Sequence, residues 1–191
     1  MPIEHPAGRS TGSARARSVT GVATAASSEG ITETHDDHVD AESVARTIAL
    51  RRLTTRAHTR YELDKALQAK NVPQSVKEAV LDRMQEVGLV DDATFAVDWV
   101  ASRQQRRHLS RRALKRELEV KGVERGDIDR ALENVDRDAE LASARELVER
   151  KRAAMSALAR DVQQRRLAGL LSRRGFDSAV ITRVLSEVLR E

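Results

Sequence analysis

Apolar residues recur at helical spacing along most of this chain. From Ser43 onward the pattern is broken only by short turn signals at Asn71-Val72-Pro73, Gly88, Gly122 and Gly175. When Lys70-Asn71-Val72, Lys121-Gly122-Val123 and Arg174-Gly175-Phe176 are superposed without gaps, the flanking apolar positions coincide. Leu63, Leu114 and Leu167 fall together, as do Leu67, Leu118 and Leu171. Beyond the turn, Val80, Ala131 and Val184 align, then Leu81, Leu132 and Leu185, then Met84, Val135 and Val188. The register thus repeats after 51 and then 53 residues.

Leucines four apart put a single stripe on one helix, and the set at i, i+1 and i+4 puts a stripe on the next, so the two helices face each other across a tight turn. The turn needs a residue that tolerates positive φ, which Gly122 and Gly175 supply and Asn71 supplies at some cost. A further helix precedes each pair, over roughly 43–56, 92–107 and 138–154. Thr59-x-x-Glu62 has the form of a capping box, and Asp91-Asp92 offers an N-cap for the helix carrying Phe95 and Trp99. The expected fold is all-α, with three tandem three-helix repeats at 41–87, 88–136 and 137–191 stacked into an elongated, curved array. Residues 1–40, rich in Ser, Thr, Gly and Ala without an apolar period, are expected to form a disordered tail.

Three motifs lie in order on this repeat. Gly88-Leu89-Val90-Asp91-Asp92-Ala93-Thr94-Phe95-Ala96 is followed by Glu117-Leu118-x-x-Lys121-Gly122-Val123 and then by Arg173-Arg174-Gly175-Phe176. Together they resemble the RecX regulatory family over nearly the whole chain beyond the tail. His58-Thr59 stands where that family usually has arginine and serine, and Asn71 where it has glycine; both keep the local role. The resemblance implies a regulator with no chemistry or cofactor of its own. It implies binding in the groove or at the growing end of a RecA–DNA filament, with repression of filament extension, strand exchange and ATP hydrolysis. The implied partners are RecA and single- and double-stranded DNA, met by a monomer in the cytoplasm.

Composition agrees with helices: 34% of residues are charged, 2% are aromatic, and two of the three prolines fall in the first six positions. Without cysteines the chain has no disulfides, thiolate metal sites or cysteine nucleophiles. No apolar run approaches the ~20 residues that span a bilayer, so no membrane partner is expected. Net charge is +4, and because residues 1–40 hold three arginines against six acids, the positive balance belongs to the helical part.

That charge is clustered. No acid interrupts the stretch from Trp99 to Arg116, which holds Arg103, Arg106, Arg107, Arg111, Arg112, Lys115 and Arg116. The first repeat has Arg51, Arg52, Arg56 and Arg60 in a similar acid-free run, and the third has Arg165, Arg166, Arg173 and Arg174. Each cluster lies around the second helix of its repeat, so stacking is expected to align them along one side. There they would meet phosphates or acidic patches, or else serve as a solvated face.

Asp91 and Asp92 have no third ligand or base at helical spacing, which favours capping over catalysis. His35-Asp36-Asp37-His38 lies in the tail and reads as incidental. Phe95, Trp99 and Phe176 read as core, and Tyr61 as either a surface contact or a half-buried packing residue. No phosphate loop, nucleophile elbow or zinc spacing is present, so an enzyme is not expected. Two other readings of the basic clusters remain: a DNA-binding helical module without a recombinase partner, and a scaffold for an acidic protein.

Overall fold

The computed structural model describes residues 30–190, with side chains from Asp40 onward. Most of the expected tail and all of its histidine-aspartate motif therefore lie outside the described side chains. Helices follow one another without strands among the described residues: α1 (Gly30–Leu53), α2 (Arg60–Gln68), α3 (Gln74–Glu86), α4 (Asp92–Arg107), α5 (Arg111–Val120), α6 (Arg125–Ala131), α7 (Arg137–Ala153), α8 (Arg160–Arg173) and α9 (Ser178–Val188). α1 differs from the expected first helix. It begins within the segment read as a tail and ends at Leu53, where Thr54 and Thr55 turn their hydroxyls back onto the carbonyls of Arg51 and Arg52.

Each consecutive trio of helices closes around its own core. Ala45 and Ala49 of α1 meet Leu63, Leu67, Val80, Leu81 and Met84 in the first. Phe95, Ala96 and Val100 meet Leu114, Leu118, Leu132 and Val135 in the second, and Ala144 and Val148 meet Leu167, Leu171, Val184, Leu185 and Val188 in the third. The aligned leucines at 63, 114 and 167 and at 67, 118 and 171 are all 0% exposed, so the repeat in sequence is a repeat in packing. Burial of each such side chain contributes about 2–3 kcal/mol. Val90 is a detail at odds with the expected boundary at residue 88, since it packs into the first core rather than the second.

The turns have the backbone their sequence requires. Asn71, Gly122 and Gly175 all lie at positive φ (57°, 73° and 89°). Thr59 and Glu62 form the full capping box on α2, and Asp91 caps α4 by accepting from Thr94 N–H at 2.9 Å. Asp92 caps a different helix: its carboxylate accepts from the backbone N–H of Arg60 at the start of α2, 2.9 Å away.

That last bond belongs to a joint used twice. Thr59, the N-cap of α2, donates its hydroxyl to the carbonyl of Lys121, the C-cap of α5, at 2.7 Å. Ser110, the N-cap of α5, donates its N–H to the carbonyl of Arg174, the C-cap of α8, at 3.1 Å. Glu140 accepts from Arg111 N–H at 2.7 Å, as Asp92 does from Arg60. The three second helices therefore meet end to end in the order α8, α5, α2, with the partial negative end of one against the partial positive end of the next. Contact is close enough to demand glycine for a second reason. A Cβ on Gly175 would lie 2.6 Å from Ser110 Oγ and 2.8 Å from Ala113 Cβ, and one on Gly122 would overlap the Tyr61 side chain. Tyr61 is accordingly a contact between units, although it remains 44% exposed.

Candidate partner-binding surface

The arginines expected at the surface divide by what they touch. Several serve the fold. Arg111 enters its own unit and donates to the carbonyls of Leu132 and Val135, closing the end of α6. Arg60 pairs with Asp82 at 2.7 Å, Arg56 grips Glu62 through two bonds of 3.2 Å, and Arg174 donates to the carbonyl of Arg107 at 2.6 Å. Arg103 and Arg107 share Glu117 at 3.0 and 3.6 Å, Lys115 lies 3.7 Å from Asp129, and Arg165 lies 3.4 Å from Asp161. Arg51, Arg52, Arg106, Arg112, Arg116, Arg166 and Arg173 are exposed and form no ion pair with any described residue.

The clusters of the second and third units converge. Arg112 and Arg116 on α5 and Arg173 on α8 line one cavity of about 560 Å³. Its walls come from all three units, because Glu62 of α2 and the turn at Gly175 also reach it. The first cluster does not join them: Arg60 instead lines a separate cavity among Asp64, Glu78, Asp92, Glu124 and Asp127.

Under the shared cavity lies a dense polar knot between the first and second units. Lys121 donates to Glu62 at 2.8 Å, and the Trp99 indole N–H donates to Glu117 at 2.8 Å. The Arg103 guanidinium and the Lys121 ammonium lie over the Trp99 ring, 3.8 and 4.1 Å from its centroid. Burial would raise the Glu62 pKa, but the hydrogen bonds and charges of Arg56 and Lys121 outweigh it and hold the carboxyl down to about 2. Sequence reasoning placed Trp99 in the core and did not select Lys121. The Lys-Gly-Val motif was the available signal, but spacing says nothing about where a lysine amine points.

Two histidines sit beside the joints. His58, 7% exposed, precedes the Thr59 cap, with Nδ1 3.4 Å from Glu62 yet not aligned for a hydrogen bond. His108, 2% exposed, ends α4 in the left-handed region at φ 49°. Its Nδ1 lies 3.3 Å from Ser143 Oγ and its Nε2 is buried without a partner. Burial lowers the pKa of both rings; the Arg56 charge adds to the effect at His58, while Glu146 opposes it at His108.

Three similar helical trios, joined end to end through their second helices and carrying unpaired arginines around a shared cavity, define a tandem helical-repeat protein. Residues 45–84, 91–132 and 138–185 match, in turn, the first, second and third three-helix domains of RecX. The chain belongs to the RecX family of regulatory proteins. It is 46% identical over 147 residues to "Regulatory protein RecX" of Streptomyces coelicolor, covering 77% of this chain and 78% of that one. The relative of the same name from Thermobifida fusca is 45% identical, with 76% and 78% covered, and that from Mycobacterium ulcerans 43%, with 75% and 84%. The crystal structure of RecX from Lactobacillus salivarius superposes with a TM-score of 0.66 at 19% identity, over 78% of this chain and 97% of that one, and so shares the fold. No described helix is long and apolar enough to cross a membrane.

Proposed function

We propose that this chain regulates the RecA recombinase by binding the RecA–DNA filament as a monomer in the cytoplasm, where it limits filament extension, ATP hydrolysis and strand exchange. The observation that carries this reading, beside family membership, is the set of arginines left unpaired on the second unit and its neighbour: Arg106, Arg112, Arg116 and Arg173. Arginines kept out of ion pairs are held ready for phosphates or carboxylates of a partner, through bidentate hydrogen bonds.

The test is a titration of RecA-catalysed, single-strand-dependent ATP hydrolysis. The chain is expected to slow hydrolysis near stoichiometric levels, and a variant carrying Arg106→Glu, Arg112→Glu and Arg116→Glu to lose that effect. A wild-type chain that leaves hydrolysis unchanged, while binding bare DNA with a steep salt dependence, would instead identify a DNA-binding module without a recombinase partner.

A further inference from the structure

We infer that the cavity where the three units meet is a peptide-docking site, which takes a short acidic segment of a partner protein through one bulky apolar side chain. The inference shares Arg112, Arg116 and Arg173 with the recombinase reading but rests on the make-up of the cavity, and its test needs no recombinase.

The floor of the cavity is apolar and comes from α5 and the segment that leads into it. Leu114 and Leu118 lie wholly within the second core, Leu109 and Ala113 pack against that core and also line the cavity, and Val120 lines the cavity without joining the core. Val120 is 75% exposed, an apolar surface for which the fold itself has no use. A volume of about 560 Å³ falls within the range of ordinary ligand sites and holds a leucine or phenylalanine side chain with its flanking backbone.

The rim is cationic. Arg112, Arg116 and Arg173 have no acidic partner among the described residues. The two carboxylates in the lining are already satisfied, Glu62 by Lys121 and Arg56, and Glu117 by Arg103 and the Trp99 indole. An acidic segment is therefore attracted to the rim without displacing any existing pair.

The same features argue against a nucleic-acid strand in this cavity. Stacking of a base needs an open aromatic face, and the Trp99 ring already carries Arg103 and Lys121. A phosphodiester backbone would also leave the apolar part of the lining uncovered, where a peptide side chain is the better fit.

Fluorescence anisotropy tests the proposal directly. The probe is a dye-labelled short peptide with one phenylalanine among aspartates and glutamates, compared with a peptide having alanine in its place. The full chain is expected to bind the phenylalanine peptide at least ~10-fold more tightly than the alanine one, a difference of about 1.4 kcal/mol. Val120→Asp places a charge in the floor at an exposed position, and is expected to abolish this preference without moving the thermal midpoint. Arg173→Glu is expected to weaken both peptides. Equal binding of the two peptides, binding unchanged by Val120→Asp, no binding at all, or displacement of the peptide by an oligothymidylate that Val120→Asp still binds normally would each overturn the assignment.

Discussion

The hydroxyl of Thr59 accepts from Glu62 N–H at 3.1 Å within its own helix and donates to the carbonyl of Lys121, 62 residues away, at 2.7 Å. A single side chain thus starts α2 and fastens it to the next unit. Thr59→Val keeps the shape and removes both bonds, one of them to a buried site. The expected loss is about 1–2 kcal/mol in chemical denaturation, larger than for an ordinary exposed cap. A loss below a few tenths would mean that the joint draws little from this hydroxyl.

The turn residues separate two demands on glycine. Gly122→Ala must adopt φ 73° with a Cβ that overlaps Tyr61, so it is expected to cost more than the ~1–2 kcal/mol of the left-handed backbone alone. Asn71→Gly relieves the same backbone strain at an exposed turn, and is expected to be neutral or stabilising by up to ~1 kcal/mol. Differential scanning calorimetry of the two variants checks both signs.

Arg111 illustrates what charge patterning cannot reveal. In sequence it stands beside Arg112 in the same acid-free run, yet it faces the carbonyls of Leu132 and Val135, while Arg112 faces the shared cavity. Arg111→Ala is expected to destabilise the chain by ~1–3 kcal/mol, because the Val135 carbonyl loses its side-chain donor and the Leu132 carbonyl keeps only the Val135 N–H, while Arg112→Ala leaves stability within about 0.5 kcal/mol. Urea midpoints of the two single variants distinguish these outcomes, and equal midpoints would contradict the division of roles.

Much of the fold was legible, because a buried leucine stripe and a positive-φ turn each require particular residue types at fixed spacing. The repeat register at 63, 114 and 167 needed no more than that. The joints were not legible. Thr59 and Lys121, or Glu140 and Arg111, are brought together by tertiary packing over tens of residues, and a cap looks the same in sequence whether or not a second helix rests on it. The cavity was hidden for a related reason: Val120 continues the apolar pattern of α5 in sequence, and only the folded chain shows it exposed on the cavity wall.

Acid should loosen the molecule in two stages. His58 and His108 have pKa values lowered below 6.5 in the folded state, so the unfolded chain binds more protons as pH falls through that range. Stability is expected to be full above pH ~6.5 and to decline below it, as protonating either ring puts charge into a buried joint beside Arg56 and Arg52, or beside Arg150 and Arg174. Glu62 adds a second loss as pH falls from 4.5 toward 2, where its pairing with Arg56 and Lys121 ends. Thermal midpoints of the chain and of a His58→Gln, His108→Gln variant between pH 7.5 and 5 test the first stage. The variant should lose much of the slope.

Each joint needs a hydroxyl-bearing start on one helix and a glycine turn on the other. The outer ends of the row lack these parts. α8 has Ala159 at its N-cap, with no side-chain cap, and the turn after α2 carries Asn71 where the inner turns carry glycine. The contact that builds the row therefore has no full counterpart at either outer end, and the head-to-tail run of second helices stops at three.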